Sequence, residues 1–123
     1  MPNFIMIRTG SMKKPRIYVD TSVIGGCFDP EFEPWSVGLI EDFRRRIFKL
    51  VLSDVTAAEV ASAPEIVRDL HAELLLLSEI LTVTEEALDV LAAYEGHHIL
   101  NARFRNDLLH IALATVADVD VLV

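Results

Sequence analysis

The sequence has little cysteine, no long apolar run and no excess of positive charge. Cys27 stands alone among 123 residues, which excludes an internal disulfide framework and is typical of a reducing cytoplasm. No apolar run approaches the roughly 18–20 residues of a membrane-spanning helix. The first twelve residues lack the long apolar stretch and cleavage site of a signal peptide. We therefore expect a cytoplasmic protein with no membrane partner.

The charge balance is unfavourable for a protein that binds nucleic-acid phosphates through a basic surface. The formal net charge is −8, with 8 basic and 6 acidic residues in positions 1–50 but 3 basic and 13 acidic residues in positions 51–123. A broad basic surface is therefore not expected. A site built around a metal ion escapes this objection, because the cation itself supplies positive charge where a phosphate binds.

The length suits a single domain with one core. Residues 1–15 read as an N-terminal extension without a folded element, because Gly10-Ser11 breaks any pattern. Residues 16–123 read as the domain. Met12 is either the natural start or part of a cloning remnant, since a Gly-Ser-Met run fits both.

Short apolar strands alternate with segments of helical periodicity along the domain. This alternation is typical of βαβ units with right-handed crossovers. It predicts an α/β fold, a three-layer α/β/α sandwich around a mainly parallel sheet, with the first strand central because its run is apolar and β-branched. The predicted strands are Arg16–Val19, Leu50–Ser53, Ile80–Val83 and Val119–Val123, and the predicted helices are Pro34–Phe48, Val55–Ser62, Pro64–Ser78, Glu85–Tyr94 and Asp107–Ala117, with Gly96–Arg105 irregular. The expected inner face of the first helix holds Trp35, Leu39, Ile40, Phe43 and Ile47.

Three acidic residues stand near the predicted carboxyl ends of the strands, where open α/β sheets bind ligands. Asp20 follows the first strand, Glu59 lies in the helix after the second, and Asp107 opens the helix before the fourth. Hard cations such as Mg²⁺ or Mn²⁺ prefer carboxylate oxygens together with water and phosphate. Such an ion can activate water and stabilise the leaving oxygen of a phosphodiester. The pattern therefore indicates metal-dependent phosphodiester cleavage.

Each acid also has a purely structural interpretation. Asp20 can accept hydrogen bonds from the turn at Thr21-Ser22. Glu59 is the fourth residue of a Thr-Ala-Ala-Glu capping box, and Asp107 at a helix start is favoured by the helix dipole. Asp20 is the strongest functional candidate, because ending an apolar strand on an aspartate is costly unless something uses the carboxylate.

Three segments resemble motifs of the PIN domain family. Ile17–Gly26 (IYVDTSVIGG) resembles its opening strand and metal-binding turn. Leu52–Val60 (LSDVTAAEV) resembles its second motif, in which a serine-bearing turn leads to a glutamate. Asp107–Thr115 (DLLHIALAT) is similar to the third, an aspartate at a helix start followed by a histidine one turn on. The resemblance spans Arg16 to Val123, and the order of the three motifs makes it fairly specific.

The resemblance implies a sheet of about five parallel strands with helices on both faces, and metal-dependent cleavage of single-stranded RNA. Asp20, Glu59 and Asp107 then bind Mg²⁺ or Mn²⁺, and Thr21 or Ser22 lies near the metal or orients its waters. Many bacterial members are ribonuclease toxins, of the VapC type, paired with a small antitoxin, so an antitoxin partner is expected. A homodimer is also expected, since the leucines at positions 74–77, with Ile66 and Leu70, are typical of a core or a dimer face.

Basic and histidine residues near the third motif are weaker candidates for substrate contacts. His110 lies three residues after Asp107, on nearly the same helix face, where it contacts phosphate or a carboxylate, or serves as a core or supporting histidine. Arg103 and Arg105 are candidates for binding phosphate. His97-His98 and Arg44-Arg45-Arg46 read as solvated residues.

One departure from the family pattern leaves alternatives open. The family usually places a further acidic or amide residue just beyond the fourth strand, whereas this chain ends at Val123, which implies a domain without its C-terminal end. Asp118 and Asp120 precede that strand and are expected at the opposite edge of the sheet. A catalytically silent PIN-like RNA-binding or protein-interaction module is therefore the alternative. A response-regulator fold is disfavoured, because Thr82-Val83-Thr84 lacks the phosphoacceptor aspartate that it expects after the third strand.

Overall fold

Five strands and six helices are present in the computed structural model, which describes residues 5–6, 14–95 and 102–123. Within these residues no helix is both long and apolar enough to cross a bilayer. The strands are β1 Ile5–Met6, β2 Arg16–Tyr18, β3 Lys49–Ser53, β4 Glu79–Leu81 and β5 Val121–Leu122. The helices are α1 Thr21–Gly26, α2 Glu33–Arg44, α3 Asp54–Val60, α4 Glu65–Leu75, α5 Glu85–Glu95 and α6 Ala102–Val116.

The strands form one sheet in the order β1-β5-β2-β3-β4. β2 pairs in parallel with β3 and with β5, and β3 pairs in parallel with β4. The prediction of an α/β sandwich with a central, parallel first strand is therefore confirmed. The expectation that residues 1–15 hold no folded element is wrong at Ile5–Met6, which pairs antiparallel with β5. The sheet therefore has four parallel strands and one antiparallel strand, β1, whereas the resemblance implied about five parallel strands.

Alternation along β2 divides the core into two clusters, one on each face of the sheet. Ile17 and Val19 point to one face and Tyr18 to the other, as the two-residue period of a strand requires. The first cluster packs against α1, α2 and α4, and the second packs against α5 and α6. Because both faces of β2 and β3 are covered, their apolar runs are nearly continuous.

The first long helix differs from its sequence prediction at its end and on its inner face. It ends at Arg44, and Arg46 adopts a left-handed backbone with φ of 61° that a helix cannot continue through. Ser36, Ile40 and Phe43 form the buried face. Trp35 and Ile47, expected inside, are 47% and 50% exposed.

The last helix starts earlier than its polar sequence suggests. The segment Gly96–Arg105 is predicted to be irregular. Its first six residues lie outside the described residues, but α6 begins at Ala102, so the prediction is wrong for residues 102–105. Ala102-Arg103-Phe104-Arg105-Asn106 contains no proline or glycine to stop a helix. Asp107 therefore lies in the second turn of α6 rather than at its start, and the dipole argument for this residue no longer applies.

At the amino edge of the sheet, Arg16 links β2 to β4 and to the segment before β5. Its guanidinium pairs with Glu79 at 2.5 Å and donates to the carbonyl oxygen of Ala117 at 2.7 Å. Its backbone N–H donates to Asp120 Oδ2 at 2.8 Å. Asp120 accordingly lies at the edge opposite to Asp20, as its position before the last strand predicts.

One buried polar atom stands apart from this pattern. His71 on α4 is only 7% exposed, and within the described part of the chain its Nε2 has no hydrogen-bond partner. Burial lowers the pKa of His71 from its ordinary value of 6.5. The unfolded chain therefore binds a proton more readily than the folded one as the pH falls below that value, and the fold loses stability.

We expect His71→Leu to stabilise the protein, with a larger gain at pH 5 than at pH 7.5, because the leucine cannot be protonated in the unfolded chain. Urea unfolding of both proteins at the two pH values measures the free-energy difference. A difference independent of pH would show that the buried imidazole is not the cause.

Candidate functional site

The carboxyl ends of β2 and β3 bring the first two predicted acids to the same edge of the sheet. Tyr18 and Ser53 are the last residues of these neighbouring parallel strands. Asp20 follows β2 after one residue, and Glu59 lies in the last turn of α3, which starts directly after β3. The strand winding thus places both acidic residues at this edge, where Thr21, the neighbour of Asp20, donates a hydrogen bond to Glu59.

Asp20 caps helix α1. Its Oδ1 accepts hydrogen bonds from the backbone N–H of Ser22 at 2.8 Å and from the Ser22 hydroxyl at 2.5 Å. The segment after Asp20 is a short helix rather than the turn expected from its sequence. Asp20 Oδ2 accepts no hydrogen bond from any of the described residues, so one carboxylate oxygen is held and the other is available.

Glu59 is held in a similar way. Its Oε1 accepts hydrogen bonds from Thr21 Oγ1 at 3.1 Å and from His110 Nε2 at 2.6 Å. Oε2 has no donor among residues 14–95 and 102–123. The capping-box interpretation of Glu59 is wrong, because α3 is capped by Ser53, whose Oγ accepts from the backbone N–H of Thr56.

Beneath Glu59 lies a buried polar network that the sequence analysis did not single out. The Tyr18 hydroxyl is 2.5 Å from His110 Nδ1 and 2.6 Å from Ser53 Oγ. All three side chains are buried. A usable signal was present, since Ser53 lies two residues beyond Val51, which pairs with Tyr18, and therefore on the same face of the sheet.

Burial, with smaller contributions from the nearby carboxylates of Glu59 and Asp20, raises the pKa of Tyr18 to about 12. Hydrogen bonds with Ser53 and Thr56 act in the opposite direction. The net effect keeps the Tyr18 hydroxyl protonated at neutral pH, so this group is a hydrogen-bond donor.

Asp107 takes no part in the hydrogen bonds that hold Asp20 and Glu59. It is exposed on α6, one turn before His110, and takes no hydrogen bond or ion pair from the described residues. In the parts of the chain that are described, no three His, Cys, Asp or Glu side chains are close enough together to hold a metal ion. The expected convergence of Asp20, Glu59 and Asp107 on one ion is therefore not seen in this geometry.

The chemistry of the two carboxylates at this edge nevertheless fits a hard divalent cation. Asp20 and Glu59 each present one oxygen that no described donor occupies, and their other oxygens are fixed by Ser22, Thr21 and His110. Mg²⁺ is usually held by one or two carboxylates together with water and substrate phosphate rather than by a full protein cage.

A pocket of about 490 Å³ opens beside Asp20 between α1 and α2. Its wall includes Ser22, Phe32 and Ser36. Gly26 allows the two helices to approach here, because a Cβ at this position would lie 2.5 Å from Ser36 Oγ. The pocket gives space for part of a substrate next to the first carboxylate.

The predicted phosphate-binding residues are placed less favourably. The guanidinium of Arg105 pairs with Glu95 at 2.7 Å, although its side chain remains 53% exposed. The Arg103 side chain and His97-His98 lie outside the described residues. Arg44 pairs with Glu41 and Glu73 on the surface, as expected for a solvated residue.

Comparison with known proteins relates the chain to one family model and to solved structures. Residues 17–122 match the family model described as PIN domain. The chain is also similar to the crystal structure of VapBC2 from Rickettsia felis bound to a DNA fragment from their promoter, with a TM-score of 0.58 and 13% sequence identity over 85% of this chain and 83% of that chain. Identity this low indicates a shared fold alone. No curated protein matches the sequence.

The cap at Asp20 allows its structural and chemical roles to be separated. We expect Asp20→Ala to lower the free energy of unfolding by about 1 kcal/mol through loss of the cap. Asp20→Asn should cost much less, because the amide oxygen can still accept from Ser22. Chemical denaturation of the two variants measures both values. Equal losses in the two variants would contradict the capping role.

Proposed function

This chain belongs to the PIN domain family, a family of nuclease domains, and on that basis we propose that it is a metal-dependent endoribonuclease that cleaves single-stranded RNA. The observation that carries the proposal is the pair of carboxylates at the carboxyl edge of the sheet, each with one oxygen fixed and one available. The protein has a net charge of −8, so a cation bound at this site would supply the positive charge that a phosphate group needs.

Asp20 and Glu59 would hold Mg²⁺ or Mn²⁺, with Asp107 as a third acidic group contributed by α6. A bound divalent cation supplies Lewis-acid stabilisation of phosphoryl charge and favours ionisation of water. The residues of the chain would orient the two carboxylates that hold the cation. Ser22 orients Asp20, and Thr21 and His110 orient Glu59, so the available oxygens are directed before substrate arrives.

The reaction that we propose is hydrolysis of the phosphodiester. The oxygen of water forms a new bond to phosphorus and loses a proton, while the bond to the 3′-oxygen breaks and that oxygen gains a proton. The products are a 5′-phosphate and a 3′-hydroxyl. Attack by the ribose 2′-hydroxyl would instead leave a cyclic phosphate, so the end groups of the products separate the two mechanisms.

We also propose a small antitoxin-like protein partner and a homodimer, as the resemblance to toxin nucleases implies. Apolar side chains on the surface support protein contacts of this kind. Phe28, Phe32 and Trp35 are each more than 40% exposed near the start of α2, and Leu76 after α4 is 86% exposed.

If the protein is a metal-dependent nuclease, its variants should differ in their rates of RNA cleavage. Asp20→Asn should lower the rate of RNA cleavage in Mn²⁺ by at least ~100-fold, because it removes a metal ligand, and His110→Ala should lower it less. Addition of EDTA should stop cleavage. Gel analysis of a labelled single-stranded RNA, with end-group mapping of the fragments, measures both rate and chemistry.

Asp54→Asn is the matched control. It makes the same chemical change at the start of α3, where the carboxylate accepts from the backbone N–H of Val83 at 3.1 Å and takes no part in the hydrogen bonds that hold Asp20 and Glu59. It should cleave at the wild-type rate. Cleavage that persists in EDTA or survives Asp20→Asn would contradict the mechanism. RNA binding without cleavage across many substrates would favour the silent module.

A further inference from the structure

We propose that Tyr18 is a positioning residue for the cleavage site: through His110 it fixes the orientation of the Glu59 carboxylate. The inference rests on the proposed function, since it assigns a role in holding a metal ligand. Its basis is a continuous line of short hydrogen bonds from Ser53 through Tyr18 and His110 to Glu59.

Only the Glu59 end of this series of hydrogen bonds lies near solvent. The Tyr18, Ser53 and His110 side chains are buried, with residue exposures of 0%, 1% and 3%, whereas the Glu59 side chain is 29% exposed. The rings of Tyr18 and His110 meet edge to face, with centroids 5.4 Å apart. The imidazole is therefore held by packing and by a hydrogen bond on each nitrogen.

The hydrogen bonds have a consistent direction. Glu59 as a carboxylate can only accept, so His110 Nε2 carries the proton in that bond. With a neutral imidazole, Nδ1 then accepts from the Tyr18 hydroxyl. The Ser53 hydroxyl donates to the tyrosine oxygen, and the backbone N–H of Thr56 donates to Ser53 Oγ. Every polar atom along this line has a partner.

Removing the tyrosine hydroxyl would leave His110 Nδ1 buried without that partner. The imidazole can then shift or change its tautomer, and either change weakens the bond to Glu59 Oε1. Thr21 would remain as the other donor to that oxygen, at the longer distance of 3.1 Å. The expected consequence is a poorly oriented carboxylate, not an unfolded protein.

A purely structural role for Tyr18 makes a different prediction. If the hydroxyl only satisfies a polar atom in the core, its loss lowers stability and leaves metal use unchanged. The two roles are therefore separated by the metal concentration needed for half-maximal cleavage, measured beside the unfolding midpoint and the KM for RNA.

The experiment uses Tyr18→Phe in the full chain, with cleavage of a labelled single-stranded RNA titrated with Mn²⁺. We expect the half-maximal Mn²⁺ concentration to rise by about 10-fold, in the range typical of lost outer-shell partners. The KM for RNA at saturating Mn²⁺ should change by less than about twofold, because no substrate contact is removed. Ile40→Val is the control, since it trims the core on the opposite face of the sheet and should lower stability alone.

A double-mutant cycle with His110→Ala tests the route of the effect. If Tyr18 acts through His110, then Tyr18→Phe should change the half-maximal Mn²⁺ concentration by less than about twofold once His110 is absent. Circular dichroism of each variant establishes that the compared proteins are folded.

Three results would overturn the proposal while leaving the nuclease function intact: an unchanged Mn²⁺ requirement in Tyr18→Phe, an effect confined to the KM for RNA, or effects of the two substitutions that multiply. A wild-type protein that does not cleave in any divalent metal refutes the proposed function itself, and with it the role of Tyr18. The activity of the wild type therefore distinguishes the two failures.

Discussion

The site depends on the burial of β2 at the centre of the sheet. This three-residue strand pairs in parallel on both sides, with β5 and with β3. Parallel pairing directs the carboxyl ends of β2 and β3 to one edge, where Asp20 and α3 follow. Because both faces of β2 are covered, its alternating side chains must be either apolar or fully hydrogen-bonded.

Tyr18 is the residue of β2 that links this hydrogen-bonding requirement to the site. A tyrosine in a buried strand needs a partner for its hydroxyl, and the partners here are Ser53 and His110. His110 in turn reaches Glu59, which lies at the edge. The hydrogen bonds that satisfy the buried Tyr18 hydroxyl therefore also connect the core to the Glu59 carboxylate. The central strand β2 thus helps to hold this carboxylate in place.

Much of the architecture follows from the sequence, because it depends on local patterns. The apolar run before Asp20 identifies the central strand, and alternating strands and helices predict the parallel winding. The position of Glu59 on the helix after β3 is predictable for the same reason. Motifs read in order along the chain are thus enough to assign the fold and to place two acids at one edge.

The remaining features depend on contacts that a linear pattern does not contain. The pairing of Ile5–Met6 with β5 is a long-range event between the two ends of the described chain. The early start of α6 at Ala102 is hidden by polar residues that suit a loop or a solvated helix equally. The hydrogen bond between Tyr18 and His110 joins residues 92 positions apart, and no spacing rule predicts it.

The position of a bound cation is the most direct test of the account. A crystal grown with Mn²⁺ and measured near the manganese absorption edge locates the ion by its anomalous signal. We expect one strong peak contacting the available oxygens of Asp20 and Glu59, absent from crystals of Asp20→Asn. A peak elsewhere on the molecule, or none at millimolar Mn²⁺, would contradict the assignment of this edge as a metal site.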